Sequence, residues 1–403
     1  MYNLNQTEMT KIDYAALYKS NLLENVVPFW MQHSVDTVNG GFFTCLDRDG
    51  RVYDTDKFMW LQCRQVWTFS MLYNALGEQS WLDVARQGAE FLKKNGRDEQ
   101  QDWYFSLTRE GKPLTQAYNI FSDCFATMAF AQLSKATDNA AYAKVAIDTF
   151  HKILERKQHP KGKFSKAFPG TRDLQGFSLP MIMCNLVLEV EHLLDPQLVE
   201  QTIADGVNTV MKTFYQPELG IILENVDMDG KFSDSFEGRL VNPGHGLEAM
   251  WFIMDIAERT NDTALTAQCV EIVLSTLEFG WDKEHGGLFY FLDIKGNPPQ
   301  QLEWDQKLWW VHIEAMIAAL KGYLHTGNEH CWEWFEKLHR YTWEHFVDQE
   351  HGEWFGYLNR QGEVLLPLKG GKWKGCFHVP RGLFQLWKTM ERVEKSEYSL
   401  AKS

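Results

Sequence analysis

The sequence lacks the marks of several protein classes. No stretch approaches 18 uninterrupted apolar residues, so no membrane-spanning helix is expected. Its start, Met1-Tyr2-Asn3-Leu4-Asn5-Gln6, has no basic segment followed by an apolar core, so no secretory signal is read and a cytoplasmic protein is expected. The seven cysteines, Cys45, Cys63, Cys124, Cys184, Cys269, Cys331 and Cys376, are odd in number, scattered, and form no Cys-x-x-Cys. That pattern excludes a disulfide framework and reads as reduced packing cysteine. Lys+Arg number 40 against 54 Asp+Glu, a formal charge of −14. Nucleic acids and anionic membranes need a basic face, so neither is an expected partner. There is no His-Glu-x-x-His, and His245 with Glu248 makes only two ligands, so no metal is expected. The glycine- and lysine-rich stretch Gly370-Gly371-Lys372-Trp373-Lys374-Gly375 precedes no Gly-Lys-Ser/Thr. No Pro/Ser-rich linker interrupts the 403 residues, which read as one domain, 1–403.

What is plentiful is aromatic: 16 Trp, 14 Tyr and 26 Phe. Many fall in short alternating segments closed by a polar turn and glycine: GGFFTCLDRDGRVY, WYFSLTREGKPL, GIILENVDMDGKFS, GGLFYFLDIKGNPP and GEWFGYLNRQGEVL. Each is a hairpin signal with its turn glycine at a left-handed position. Those glycines, Gly50, Gly111, Gly230, Gly296 and Gly362, recur about every 60–66 residues, with one interval of about twice that. The double interval holds Lys161–Arg172, where a degenerate unit is expected. Between hairpins lie two kinds of helical stretch. One has a charged face, as from Trp81 or Leu198; the other is apolar all round, as from Phe121 or His312. The first belongs outside and the second inside. Six such units predict an all-α (α/α)6 barrel of twelve helices with short β-hairpins at one end. An open solenoid would need polar capping repeats, which are absent from the sequence.

In a closed ring each hairpin leads into the N-terminus of an inner helix, so polar residues at the six junctions should converge on one cavity. They include Arg64; Phe121 and Asp123; Asn185; His245, Glu248 and Trp251; Trp310, His312 and Glu314; and His378. Charge buried in an apolar helix needs a partner or a ligand. His245 and Glu248, at i and i+3, can interact directly. Two imidazoles, a guanidinium and two carboxylates suit proton transfer alpha to a carbonyl: one imidazole takes the proton, the cation holds the oxyanion, and the other imidazole returns a proton on the opposite face. Trp251 and Trp310 are placed to face a sugar ring. His312 is either a third participant or structural, while His33, His151, His339 and His345 are expected to be solvated on outer helices. Lys161, Lys163, Gly170 and Arg172 form a basic, glycine-containing patch that suits either a phosphate site or a solvated turn.

From about Leu17 to Trp387, the stretches DTDKFMWLQCRQVWTFSML, YNIFSDCFA, SFEGRLVNPGHGLEAMWF, QLEWDQKLWWVHIEA and GGKWKGCFHVPR resemble the N-acylglucosamine 2-epimerase (renin-binding protein) family, its cyanobacterial members most of all. The resemblance implies interconversion of N-acetyl-D-glucosamine and N-acetyl-D-mannosamine, the (α/α)6 fold, a homodimer, no consumed cofactor, and ATP as an allosteric activator. It implies catalytic bases at His245 and His378, the arginine at Arg64, supporting carboxylates at Glu248 and Glu314, and a substrate contact at Asn185. The basic patch is the expected effector site. The alternatives are a cellobiose 2-epimerase or aldose–ketose isomerase, a glycoside hydrolase using opposed carboxylates among Asp123, Glu248 and Glu314, and a non-catalytic protein that binds a partner through its surface.

Overall fold

Helices that are apolar on every side are driven inward, and those with a single apolar stripe cover them. The computed structural model, which describes residues 9–161 and 164–400, contains both kinds. In chain order the helices are α1 (Lys11–Ser20), α2 (Val27–His33), α3 (Met59–Leu76), α4 (Gln79–Asn95), α5 (Ile120–Thr137), α6 (Ala140–Arg156), α7 (Ser178–Val190), α8 (Pro196–Asn208), α9 (Pro243–Thr260), α10 (Thr263–Gly280), α11 (Trp309–Thr326), α12 (Glu329–His345) and α13 (His378–Leu400). A π-helical stretch, Asn21–Val26, runs α1 into α2, so these form one rod and the set makes twelve. The odd-numbered helices from α3 to α13 pack successively against one another as an inner ring. The α1–α2 rod and the even-numbered helices from α4 to α12 lie outside, with α1 against α13. This is the (α/α)6 arrangement expected from the repeat. The seven cysteines are all buried and free.

The turns from inner to outer helix are tight because the linking residue takes a left-handed conformation. Gly77, Asp138, Asn261 and Gly327 end α3, α5, α9 and α11 with φ between 51° and 80°. The outer helices then start on side-chain caps, such as Asn139 for α6, Asp262 for α10 and Asn328 for α12.

At the other end the strands do more than form isolated hairpins. They are β1 (Lys57–Phe58), β2 (Ser106–Leu107), β3 (Pro113–Thr115), β4 (Leu174–Gly176), β5 (Tyr215–Gln216), β6 (Ile221–Ile222), β7 (Asn225–Asp227), β8 (Leu240–Val241), β9 (Leu292–Asp293), β10 (Lys307–Leu308), β11 (Tyr357–Leu358) and β12 (Val364–Leu366). The turn glycines Gly50, Gly111, Gly230, Gly296 and Gly362 all have φ between 76° and 92°, as their positions predict. The strand leading into an inner helix pairs antiparallel with a strand of the following unit: β1 with β2, β4 with β7, β8 with β9, β10 with β11. The last unit does the same with the first, since the Lys369 and Gly370 N–H groups both donate to the Leu46 carbonyl. Among its described residues, the degenerate Lys161–Arg172 segment forms no strand; β4 begins just after it.

A buried ion triad reinforces three of these joints. An aspartate accepts from the lysine of its own unit's lead-in and from an arginine of the next unit. Asp36 takes Lys57 and Arg109; Asp282 takes Lys307 and Arg360; Asp348 takes Lys369 and Arg48. The third triad closes the ring from last unit to first. All three lysines are fully buried. Burial works against the charged form of Asp348, but hydrogen bonds from Arg48 and Lys369 hold its carboxyl well below the usual range. Its stabilisation is therefore complete above pH about 4 and is lost as pH falls below that. Asp348→Asn strands Lys369 and is expected to cost about 3 kcal/mol at pH 7. Urea unfolding of this variant beside Asp229→Asn, whose lysine partner is exposed, checks it: only the buried substitution should lower the midpoint.

Candidate active site

The cavity end of the barrel is where six inner-helix N-termini meet. Helix α9 starts with Pro243 in its first turn, and Asn242 caps it by accepting from the His245 N–H at 3.2 Å. Gly244 is required by what faces it: a Cβ there would lie 2.7 Å from the Trp310 ring. That contact sets Trp310 against the start of α9. Its ring centroid is 5.2 Å from His245 and 5.7 Å from His378, tilted 37° and 36° to them. The two histidines expected to act together thus flank one indole.

Their carboxylate partners differ. His378 Nδ1 lies 2.8 Å from Glu314 Oε1. Arg381, one turn along α13, donates through Nη2 to Glu314 Oε1 at 2.6 Å and to Glu248 Oε1 at 2.5 Å. Trp251 Nε1 donates to the other Glu314 oxygen at 2.8 Å. His245 is held instead by Glu224, whose two oxygens lie 3.0 and 3.1 Å from Nδ1. The expected His245–Glu248 contact is therefore corrected: Glu248 points to Arg381. In both histidines a carboxylate on Nδ1 leaves Nε2 free.

The surroundings bias the two rings oppositely. Burial, then the charges of Arg64 and Arg381, push His378 well below the ordinary imidazole range. Burial also disfavours charge on His245, but the charge and hydrogen bond of Glu224, with help from Glu248, outweigh it and raise its pKa. Paired titratable groups pushed apart by environment are the pattern of an acid and a base.

Arg64 is 8% exposed and lies over Phe125 at 3.9 Å, and over Trp60 and Phe377 at 4.7 Å. Its Nε has no hydrogen-bond partner. Burial lowers it to about 9, still a cation at neutral pH. Asn185, on α7, is buried with its Oδ1 unpartnered. Phe121 is partly buried against the core at the start of α5.

Other expected residues have different settings. Asp123 is buried and paired with Arg156 of outer helix α6 at 3.1 Å; burial raises it to about 7. Trp251 is 1% exposed and serves Glu314, so it holds a carboxylate where a sugar-facing ring was expected. His312 is structural: Nδ1 meets the Leu308 carbonyl at 2.8 Å, Nε2 accepts from the Leu288 N–H at 2.9 Å, and burial lowers it to about 3. His339 is buried rather than solvated, bonded to the Tyr18 hydroxyl at 2.9 Å. In the basic patch, Lys161 and Arg172 are exposed, and the nearest carboxylate to Arg172 is Glu237 at 4.0 Å. The Gly170 N–H is taken by Asp173, and Lys163 lies outside the described residues.

Glu224 and Arg381 complete the site. Glu224 lies in an irregular link rather than at a helix junction, and no spacing rule points to it. Arg381 was visible one turn after His378. Glu248, Glu314 and His378 have ligand atoms within 4.8 Å of one another, close enough for a metal ion. The Arg381 guanidinium already stands between the two carboxylates. Arg381→Met leaves them buried together and is expected to cost about 3 kcal/mol at pH 7. The urea midpoint of the variant against wild type at pH 7 checks it.

Several known proteins are similar to this chain. The sequence profile of N-acylglucosamine 2-epimerase (GlcNAc 2-epimerase) matches residues 41–379. The chain is 43% identical to the N-acylglucosamine 2-epimerase of Mus musculus over 371 residues, covering 90% of this chain and 88% of that one. With the Homo sapiens protein of the same name it shares 41% over 370 residues, 90% and 86% of the two chains. Among solved structures, cellobiose 2-epimerase from Bacillus thermoamylovorans B4167 superposes with a TM-score of 0.81 at 20% identity, covering 93% of this chain and 99% of that one.

Proposed function

The chain belongs to the N-acylglucosamine 2-epimerase family, isomerases that invert sugars at C2, and we propose that it interconverts N-acetyl-D-glucosamine and N-acetyl-D-mannosamine with His245 and His378 as opposed bases. The observation that carries the mechanism is Trp310 flanked by both imidazoles, each with Nδ1 on a carboxylate. The acetamido substrate rests on the mammalian relatives named for it.

In the open-chain sugar, the C2 hydrogen is acidic because it lies next to the C1 carbonyl. Neutral His378 takes it through Nε2; the C–H electron pair forms the C1–C2 double bond as the C1–O1 π pair moves onto O1. Arg64, a buried cation that makes no ion pair among the described residues, holds that oxygen. His245 delivers a proton through Nε2 to the other face, and the centre inverts. Trp310 supplies the flat surface on which C2 lies between them. A hydrolase reading fits less well, since Glu248 and Glu314 share one guanidinium and Asp123 is paired with Arg156, rather than two carboxylates opposing each other across a bond.

ATP as an unconsumed activator and a homodimer belong to the same reading, supported by the family resemblance. The test is incubation with N-acetylmannosamine in deuterated water, with and without ATP, followed by NMR. Deuterium at C2 of an aldose product is expected; a ketose product, or glycoside hydrolysis without epimerisation, overturns the assignment. His245→Ala and His378→Ala should each lose at least about 100-fold in kcat with the fold intact by circular dichroism. Arg64→Lys, which keeps charge but loses the planar fork, should fall about as far.

A further inference from the structure

Glu224 sits in the link between β6 and β7, and its backbone is pinned on both sides. Its N–H donates to the Leu240 carbonyl at 3.1 Å, and its carbonyl accepts from the Phe177 N–H at 2.9 Å. Leu240 opens β8, two residues before the Asn242 cap of α9, and Phe177 immediately precedes α7. The residue is thus fixed to the lead-ins of the helices that carry His245 and Asn185. Its side chain is nearly buried, and both oxygens meet His245 Nδ1. Glu314 shares its charge with Arg381, but among the described residues no lysine or arginine ion-pairs with Glu224. The imidazole is its ionic partner.

Resting on the epimerase reading, we propose that Glu224 is a positioning residue for the reaction: it fixes His245 as the proton donor of the resting enzyme, with Nε2–H toward the substrate, and so leaves His378 as the first acceptor. Glu248, one turn on along α9, also favours the imidazolium but is committed to Arg381. Trp310 of α11 presents an uncharged ring, which also adjoins His378 of α13. Burial pushes the Tyr290 hydroxyl, near Glu224, well above its ordinary range and keeps it neutral. Arg64 and Arg381 act on the His378 side. The raised pKa of His245 agrees with this assignment.

The proton count closes. His378 Nε2 gains the proton from C2 as that C–H bond breaks. The Nε2–H bond of His245 breaks as a new C2–H bond forms on the other face, and its electrons stay on nitrogen. For the epimer whose C2–H faces His245 the steps run in reverse, with His245 neutral as acceptor and His378 protonated as donor, and between turnovers the pair resets through solvent. Because the overall equilibrium belongs to the sugars, any loss at Glu224 must lower kcat/KM equally in both directions.

The test compares the full-length wild type with Glu224→Gln and Glu224→Asp on N-acetylmannosamine in deuterated water across pH. For Glu224→Gln we expect kcat to fall about 100-fold and KM to change less than about twofold. The alkaline limb of the pH profile should move to lower pH. Above neutral pH, deuterium should enter C2 of recovered substrate faster relative to product, because the second face lacks its donor. Glu224→Asp keeps the charge and should recover part of the rate. An unchanged kcat, or a fall with an unmoved alkaline limb and an unchanged exchange ratio, overturns the proposal. NMR titration of the His245 imidazole without substrate gives an independent reading: its midpoint should drop in Glu224→Gln, and an unchanged midpoint also overturns it. A wild type inactive on these sugars would remove the functional reading and leave the titration to decide the role of Glu224.

Discussion

Arg381 donates through one nitrogen to Glu248 and Glu314, and nearly everything else at the cavity depends on that shared contact. Two carboxylates cannot stay ionised side by side in a buried setting without a cation between them. With the guanidinium in place, Glu314 can hold His378 on one oxygen and accept from Trp251 on the other, and both ring and carboxylate are fixed. Burial, reinforced by the charge of Arg64 and then by this one, disfavours the charged form of His378. One cation therefore permits the acidic pair and adds to the bias on the imidazole that the pair supports.

This cluster spans three inner helices: Glu248 from α9, Glu314 from α11, His378 and Arg381 from α13. Its geometry is only as good as the ring that brings those N-termini together. Short strands alone would be a weak fastening, since two-residue pairings bury little. The repeated aspartate–lysine–arginine triads add a directed contact at three joints, each reaching from one unit to the next. Their arginines all stand two residues before a turn glycine: Arg48 before Gly50, Arg109 before Gly111, Arg360 before Gly362. The hairpin turn thus has two uses. It reverses the chain, and it aims a cation at the preceding unit. Arg48, reaching back to Asp348, makes the first and last units neighbours, which an open solenoid would never do.

The barrel was legible because its signals are local and repeated. Helices apolar all round, helices with one polar face and turn glycines each carry a period, and the left-handed φ values fall where the period puts them. The junction residues were legible for the same reason, and Arg64, His245, Glu314 and His378 do converge. What the sequence could not show is which neighbour each polar group chooses. Helical spacing offered Glu248 to His245, but the actual partner is Glu224, brought in by a link with no regular period. Asp123 looked like its counterparts at other junctions yet turns to Arg156, because an outer-helix arginine offers it a closer charge. His339 sits on an outer helix with an overall polar face, yet the α1–α2 rod covers it through Tyr18. Such choices depend on long-range packing that no window of sequence contains.

The charge balance inside the cavity then explains why a neutral sugar suits this site. The chain as a whole carries −14, yet each buried carboxylate here has a partner: Glu248 and Glu314 take Arg381, and Glu224 takes His245. Arg64 is the charge left over: it lies 3.9–4.7 Å from three aromatic ring centroids and, among the described residues, makes no ion pair. A resident anionic ligand would satisfy it in the ground state and contribute nothing to the reaction. In the proposed reaction a neutral sugar would leave it unsatisfied until proton removal puts charge on the substrate oxygen, so the attraction would appear mainly in the transition state. The aromatic surplus has its place in the same design. Rings around Arg64 exclude water and competing acceptors without neutralising it, so the cation is held in reserve by surfaces that cannot accept its protons as a carboxylate would.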